Sequence, residues 1–162
     1  MKPRLFVLMF STILLSDPVS AAIIGDFEAQ FTKVYGAAVE KKEPEAGISG
    51  RTYQFKKNDK EFRIYAVFFS GVCHIMGVEA AYGKPLDEAT ISSWLDAAAA
   101  QPKDAGNAWK QMPPKPSEPH DVRTWVRRDP RHEVVSATYK KNAKGLWNLT
   151  FQTGKGMDWS IK

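Results

Sequence analysis

The stretch EFRIYAVFFSGVCHIMGVEA, residues 61–80, decides the fold. Glu61 to Phe69 is long, aromatic and β-branched, as strands are. Ser70-Gly71 is a two-residue turn, and Val72 to Ala80 returns. A plain two-residue turn pairs Phe69 with Val72, Phe68 with Cys73, Val67 with His74 and Ala66 with Ile75. Side chains alternate faces along each strand. One face therefore carries Phe62, Ile64, Ala66, Phe68, Cys73 and Ile75, and reads as core. The other carries Arg63, Tyr65, Val67, Phe69, Val72, His74 and Met76. That second face is too apolar for open water. It is either covered by the rest of the chain or a docking surface for a protein partner, formed by Tyr65, Val67, Phe69, His74 and Met76.

The flanking sequence extends the same pattern. Upstream, Arg51 to Lys57 alternates as a strand, with Tyr53 and Phe55 on one side, and Asn58-Asp59 turns the chain into the hairpin. Residues 41–50 read as a loop by composition. Before them, Phe27, Phe31, Val34, Tyr35 and Ala38 form one apolar helical stripe, with Asp26 as cap and Gly36 as stop. Downstream, Asp87 caps a second helix whose stripe is Ile91, Trp94, Leu95 and Ala98. Residues 101–121 hold five prolines and read as a connecting loop, with Trp109 pinning a short strand from Ala108 to Met112. Val122 to Arg128, Glu133 to Lys140 and Leu146 to Thr153 are strands, followed by a glycine-punctuated tail.

The expected fold is α+β in two layers. An antiparallel meander sheet of about six to seven strands carries two helices on one face. Each half reads as a helix followed by a meander, a pattern consistent with a duplicated unit.

The amino-terminal end supplies an address. Lys2 and Arg4 precede the apolar run Leu5 to Leu15, and Val19-Ser20-Ala21 has the spacing of a cleavage site. This is the layout of a secretory signal peptide over residues 1–21, with cleavage near Ala21. The run is shorter than the roughly 20 residues that span a bilayer. The expected mature chain, residues 22–162, is a single exported domain, periplasmic or extracellular, without a transmembrane segment. The apolar fraction of 43% is ordinary for a globular protein. A formal charge of +5 is a mild basic bias. Export makes nucleic acid an unsuitable partner for it.

Several segments together resemble an uncharacterised family of small exported bacterial proteins. These are Phe31 to Ala37 around Val34-Tyr35-Gly36, Thr52-Tyr53-Gln54-Phe55, and Phe62 to Met76. Leu86-Asp87-Glu88, Trp94-Leu95, Trp109, and Trp125 with Arg127, Asp129 and Tyr139 complete the pattern. The helix-then-meander unit is also similar, at fold level, to β-lactamase-inhibitor-protein-like domains and to a small outer-membrane assembly lipoprotein domain. That resemblance implies a scaffold or inhibitor role; the chain lacks a lipid-attachment cysteine and an inhibitory-loop signature.

Motifs for catalysis are missing from the sequence. Cys73 and His74 are strand neighbours and point to opposite faces, which argues against a nucleophile–base dyad. His74, His120 and His132 lack metal-ligand spacing, and one cysteine cannot build a zinc cluster. Neither a phosphate-binding glycine loop nor a Gly-x-Ser-x-Gly elbow is present, and no cofactor is expected. A basic, aromatic cluster is the other candidate site. Arg123, Arg127, Arg128, Arg131 and Lys140 around Trp125 form a patch for an anionic envelope polymer, or else arginines lying along a core tryptophan. The sequence thus points to an exported, non-enzymatic binding or structural module that engages a protein partner. The alternatives are a binder of an anionic envelope component and an enzyme of unidentified class.

Overall fold

The computed structural model describes residues 21–57, 59–99, 108–129 and 133–160. Residues 1–20, which carry the leader pattern, lie outside that set, as do Arg131 and His132.

Among the described residues, helix α1 (Glu28–Tyr35) precedes strands β1 (Glu40–Glu45), β2 (Ile48–Lys57), β3 (Lys60–Phe69) and β4 (Val72–Ala80). A 3₁₀ turn (Ala81–Gly83) leads to α2 (Glu88–Ala97). Strands β5 (Lys110–Gln111), β6 (Arg123–Asp129), β7 (Glu133–Lys141) and β8 (Trp147–Thr153) follow, and α3 (Gly154–Ser160) comes last. All pairings are antiparallel in the order β1-β2-β3-β4-β8-β7-β6-β5. Each half is thus a helix followed by four strands, and the halves meet where β4 pairs with β8.

The sheet has eight strands, not six to seven. The added strand β1 lies where the composition reads as a loop. Every residue of β1 is exposed, so it has no apolar alternation to reveal it. Pro44 and a bulge between Lys42 and Glu45 interrupt its ladder. Charge, proline and bulge are the devices that keep an edge strand from recruiting another chain.

Helix α1 ends at Gly36, whose φ of 84° is costly for residues with a side chain. Asp26 is not its cap. The Asp26 carboxylate accepts instead from the Ile23 amide at 2.9 Å. Asp87 does cap α2, accepting from the Thr90 amide at 2.8 Å. No helix among the described residues is long and apolar enough to cross a membrane.

The core lies between one sheet face and the layer formed by residues 22–24, α1 and α2. Phe31, Tyr53, Ile64, Phe68, Met76, Ile91, Leu149 and Phe151 are all essentially inaccessible. Phe31 packs edge-on to Phe68, with ring centroids 5.1 Å apart, and edge-on to Tyr35. The Tyr35 hydroxyl donates to the Ala22 carbonyl.

The central hairpin departs from the simple register at one point. Phe69 pairs with Val72 and Phe68 with Cys73, but Val67 pairs with Ile75. His74 is an extra residue on β4, a bulge. Beyond it every side chain changes face. Met76, expected on the outer face, sits opposite Ala66 in the core at 0% exposure. Ile75, expected in the core, lies half-buried on the outer face.

The expected layering needs a second correction. Gly154-Lys155-Gly156 is not tail but the start of α3, and α3 packs on the outer face against β8, β4 and β7.

Candidate functional site

The outer-face surface expected from the sequence is largely taken up by the chain itself. On the outer face, Phe69 and His74 are buried, and Tyr65 and Val67 are half-buried. Helix α3 covers the His74 and Phe69 end of that face. A Cβ on Gly156 would lie 2.4 Å from the His74 carbonyl oxygen, so only glycine allows this approach. His74 Nδ1 lies 2.7 Å from Thr153 Oγ1, which also accepts from the Gly156 amide at 3.3 Å. The Lys155 ammonium sits 5.3 Å from the centre of the Phe69 ring.

The basic cluster is divided between two faces. Arg127 is buried, its guanidinium 5.1 Å over Trp109. Arg123 lies over Trp125 and Tyr139 and bonds both carboxylate oxygens of Glu88, at 2.7 and 2.8 Å. Strand alternation turns Arg128 and Lys140, both exposed, to the opposite side of the sheet. Trp125 is buried in the core, and Arg123 and Arg127 each lie over an aromatic ring.

Cys73 is fully buried, and desolvation pushes its thiol well above the ordinary cysteine range. Its sulfur donates to the Ile75 carbonyl at 3.3 Å. A thiol held protonated in the core is a poor nucleophile. Among the described residues no group of three His, Cys, Asp or Glu side chains could hold a metal ion.

A different site emerges where β4 ends. Tyr82 has φ 61° and ψ 18°, the left-handed region that bulky residues avoid. Gly83 follows at φ 65°. Together they turn the tyrosine outward, where it is 90% exposed. Gly83 anchors the turn from behind, since a Cβ there would lie 2.3 Å from Leu146 Cδ2.

Tyr82 stands between two hollows. The larger, of about 660 Å³, includes Gln54, Lys56, Arg63 and Glu79 in its wall, with Phe62 and Leu146 among its apolar lining. The smaller, of about 430 Å³, lies toward α2 and is lined by Lys60, Lys84, Leu86 and Asp87 among others. Glu61, Phe62, Ala80, Ala81 and Tyr82 belong to both, so the hollows form one trough with an aromatic peg astride it.

A buried carboxylate stiffens one wall. Glu79 is 4% exposed and accepts from the Tyr65 hydroxyl at 2.8 Å, Asn142 Nδ2 at 2.6 Å and Asn148 Nδ2 at 3.4 Å. Such bonding offsets the cost of removing a carboxylate from water. It also ties the β7–β8 loop to β4. Burial leads the upward shift of the Tyr65 hydroxyl, which keeps it a proton donor.

No protein-family model matches this chain, and no curated protein matches it. A cysteine-rich secretory protein from Staphylococcus aureus subsp. aureus Mu50 is a loose structural neighbour. Identity is 9%, the match covers 82% of this chain and 45% of that one, and the TM-score is 0.38. This chain therefore spans less than half of the neighbour's length, and a likeness that loose carries no argument about fold or role.

Sequence reasoning passed over Tyr82. The signal was Tyr82-Gly83-Lys84-Pro85, a turn composition placed directly after an aromatic strand. Left-handed geometry at the tyrosine itself has no sequence mark.

Proposed function

We propose that this chain is an exported, non-enzymatic binding module that engages a protein partner through the trough around Tyr82. One observation carries the reading: a tyrosine held in a disfavoured backbone conformation and displayed to solvent between two hollows. Strain of this kind persists where the surroundings enforce it, and it gathers at functional sites. Tyrosine supplies a large, stiff contact surface with a polar tip, which is why it recurs among the residues that dominate interfaces. The leader pattern in residues 1–21 supports export. The lone cysteine, buried at position 73, suits an oxidising compartment. The resemblance of the helix-then-meander unit to β-lactamase-inhibitor-protein-like domains agrees with a binding role.

The test is photo-crosslinking in the intact cell envelope. A photoreactive side chain at position 82 is expected to give one defined protein adduct, and one at exposed Lys140 none. Adducts from position 140 alone, or from neither position, would sink the proposal.

A further inference from the structure

Resting on the leader reading, we infer that a signal peptidase hydrolyses the Ala21–Ala22 bond, and does so only before the chain folds, because the folded domain takes the far side of that bond into its core. Residues 22–26 are an arm laid into the fold. Ala22 is 0% exposed and Ile24 1%, and both belong to the core. The Tyr35 hydroxyl donates to the Ala22 carbonyl at 2.5 Å, and the Ile23 amide to the Asp26 carboxylate at 2.9 Å. The Gly25 amide donates to the Cys73 carbonyl at 2.8 Å, and the Cys73 amide to the Asp26 carbonyl at 2.9 Å, which stitches the arm to β4. Ala21 is half-buried in a hollow that it lines with Phe55, Phe62 and Trp94.

These contacts choose the bond. Val19 and Ala21 are small enough for a cut after Ala21, and Ser20 and Ala22 for a cut one residue later. The later cut removes a core residue and leaves the buried Tyr35 hydroxyl without its acceptor. The earlier cut keeps both, and its new ammonium replaces a residue that lines an open hollow. In that step water adds across the amide. Its oxygen joins the Ala21 carbonyl carbon, which leaves as a carboxylate, the C–N bond breaks, and both water hydrogens end on the Ala22 nitrogen.

The same contacts set the order. A protease needs the residues beside the bond freed from the fold, and so cuts from an opened state. Opening here means lifting Ala22 and Ile24 out of the core and breaking the bonds to Tyr35 and Cys73. A chain that folds first therefore keeps its leader, and folding competes with processing.

The full chain, refolded from urea into nonionic detergent micelles, is given to a signal peptidase beside its Phe31→Asp variant. That substitution puts a carboxylate among the core aromatics and keeps the chain unfolded. Circular dichroism establishes both states, and mass spectrometry reads the cut. The unfolded variant is expected to be cut after Ala21, at least about tenfold faster than the folded chain. Tyr35→Phe and Ile24→Ser loosen the arm and leave the residues before the bond intact, so both should be cut faster than the folded parent. Equal rates for folded and unfolded chains overturn the order of events, and loosened variants no faster than the parent overturn the arm as its cause. A cut after Ala22 overturns the choice of bond. An unfolded variant that is not cut at all overturns the leader reading itself, and this inference with it.

Discussion

At the scale of single residues, two positions are shaped against their own stability or tolerance for change. Tyr82 occupies a left-handed conformation that costs an L-residue roughly 1–2 kcal/mol, whereas glycine adopts it freely but gives up about 0.5–1 kcal/mol of chain entropy on folding. Tyr82→Gly is therefore expected to leave unfolding free energy level or raised by up to about 1.5 kcal/mol while abolishing partner binding. Urea melts measure the first quantity and crosslinking the second; a large loss of stability would make the tyrosine structural. Gly156 is the opposite case, a residue kept small by contact. Gly156→Ala drives a methyl group into the His74 carbonyl and should cost about 1–3 kcal/mol as α3 lifts from the sheet. A fluorescence probe on α3 should report the change, and an unaltered melt would mean that α3 adjusts freely.

Among the elements, legibility followed apolar periodicity. The six longer strands β2, β3, β4, β6, β7 and β8 and both core-side helices were readable, because their buried faces repeat at the strand or helix period, and Trp109 marked the short β5. Strand β1 was not, since an exposed edge strand made of Glu40 to Glu45 buries nothing. The bulge at His74 was not, since one extra residue leaves composition untouched yet exchanges the faces of Ile75 and Met76. Helix α3 hid behind two glycines. The Tyr82 trough was invisible for a related reason: it joins strand ends, a 3₁₀ turn and a hairpin loop that are far apart in the chain. Helix α2 permits a test at this scale. Hydrogen bonds from Lys60 and from Thr90 hold the Asp87 carboxyl well below the usual range. A depressed carboxylate stabilises the folded chain above its unfolded pKa of about 3.9, and the benefit fades as pH falls through that value toward the folded pKa. Asp87→Asn keeps a capping side chain and loses the charge. Its stability deficit should be present near neutral pH and shrink below about pH 4. A deficit that stays constant across that window would assign the effect to capping alone.

Viewed as a whole, the molecule is two helix-and-four-strand halves closed against each other along β4 and β8, with one apolar core running across the seam. Leu149 sits at that seam opposite Val78, and both are fully buried. Leu149→Ala should cost about 2–5 kcal/mol. Because the core is shared, tryptophan fluorescence and far-ultraviolet circular dichroism should still report a single coincident transition. Two separated transitions would show that the halves fold independently. The margins of the sheet bear on the molecule's social behaviour. One border, β1, is charged, proline-bearing and bulged, and the other, β5, is two residues long. Neither offers a ninth strand a place to bind. Crowded among its neighbours, the chain can thus keep eight strands of hydrogen-bonding backbone without seeding fibres.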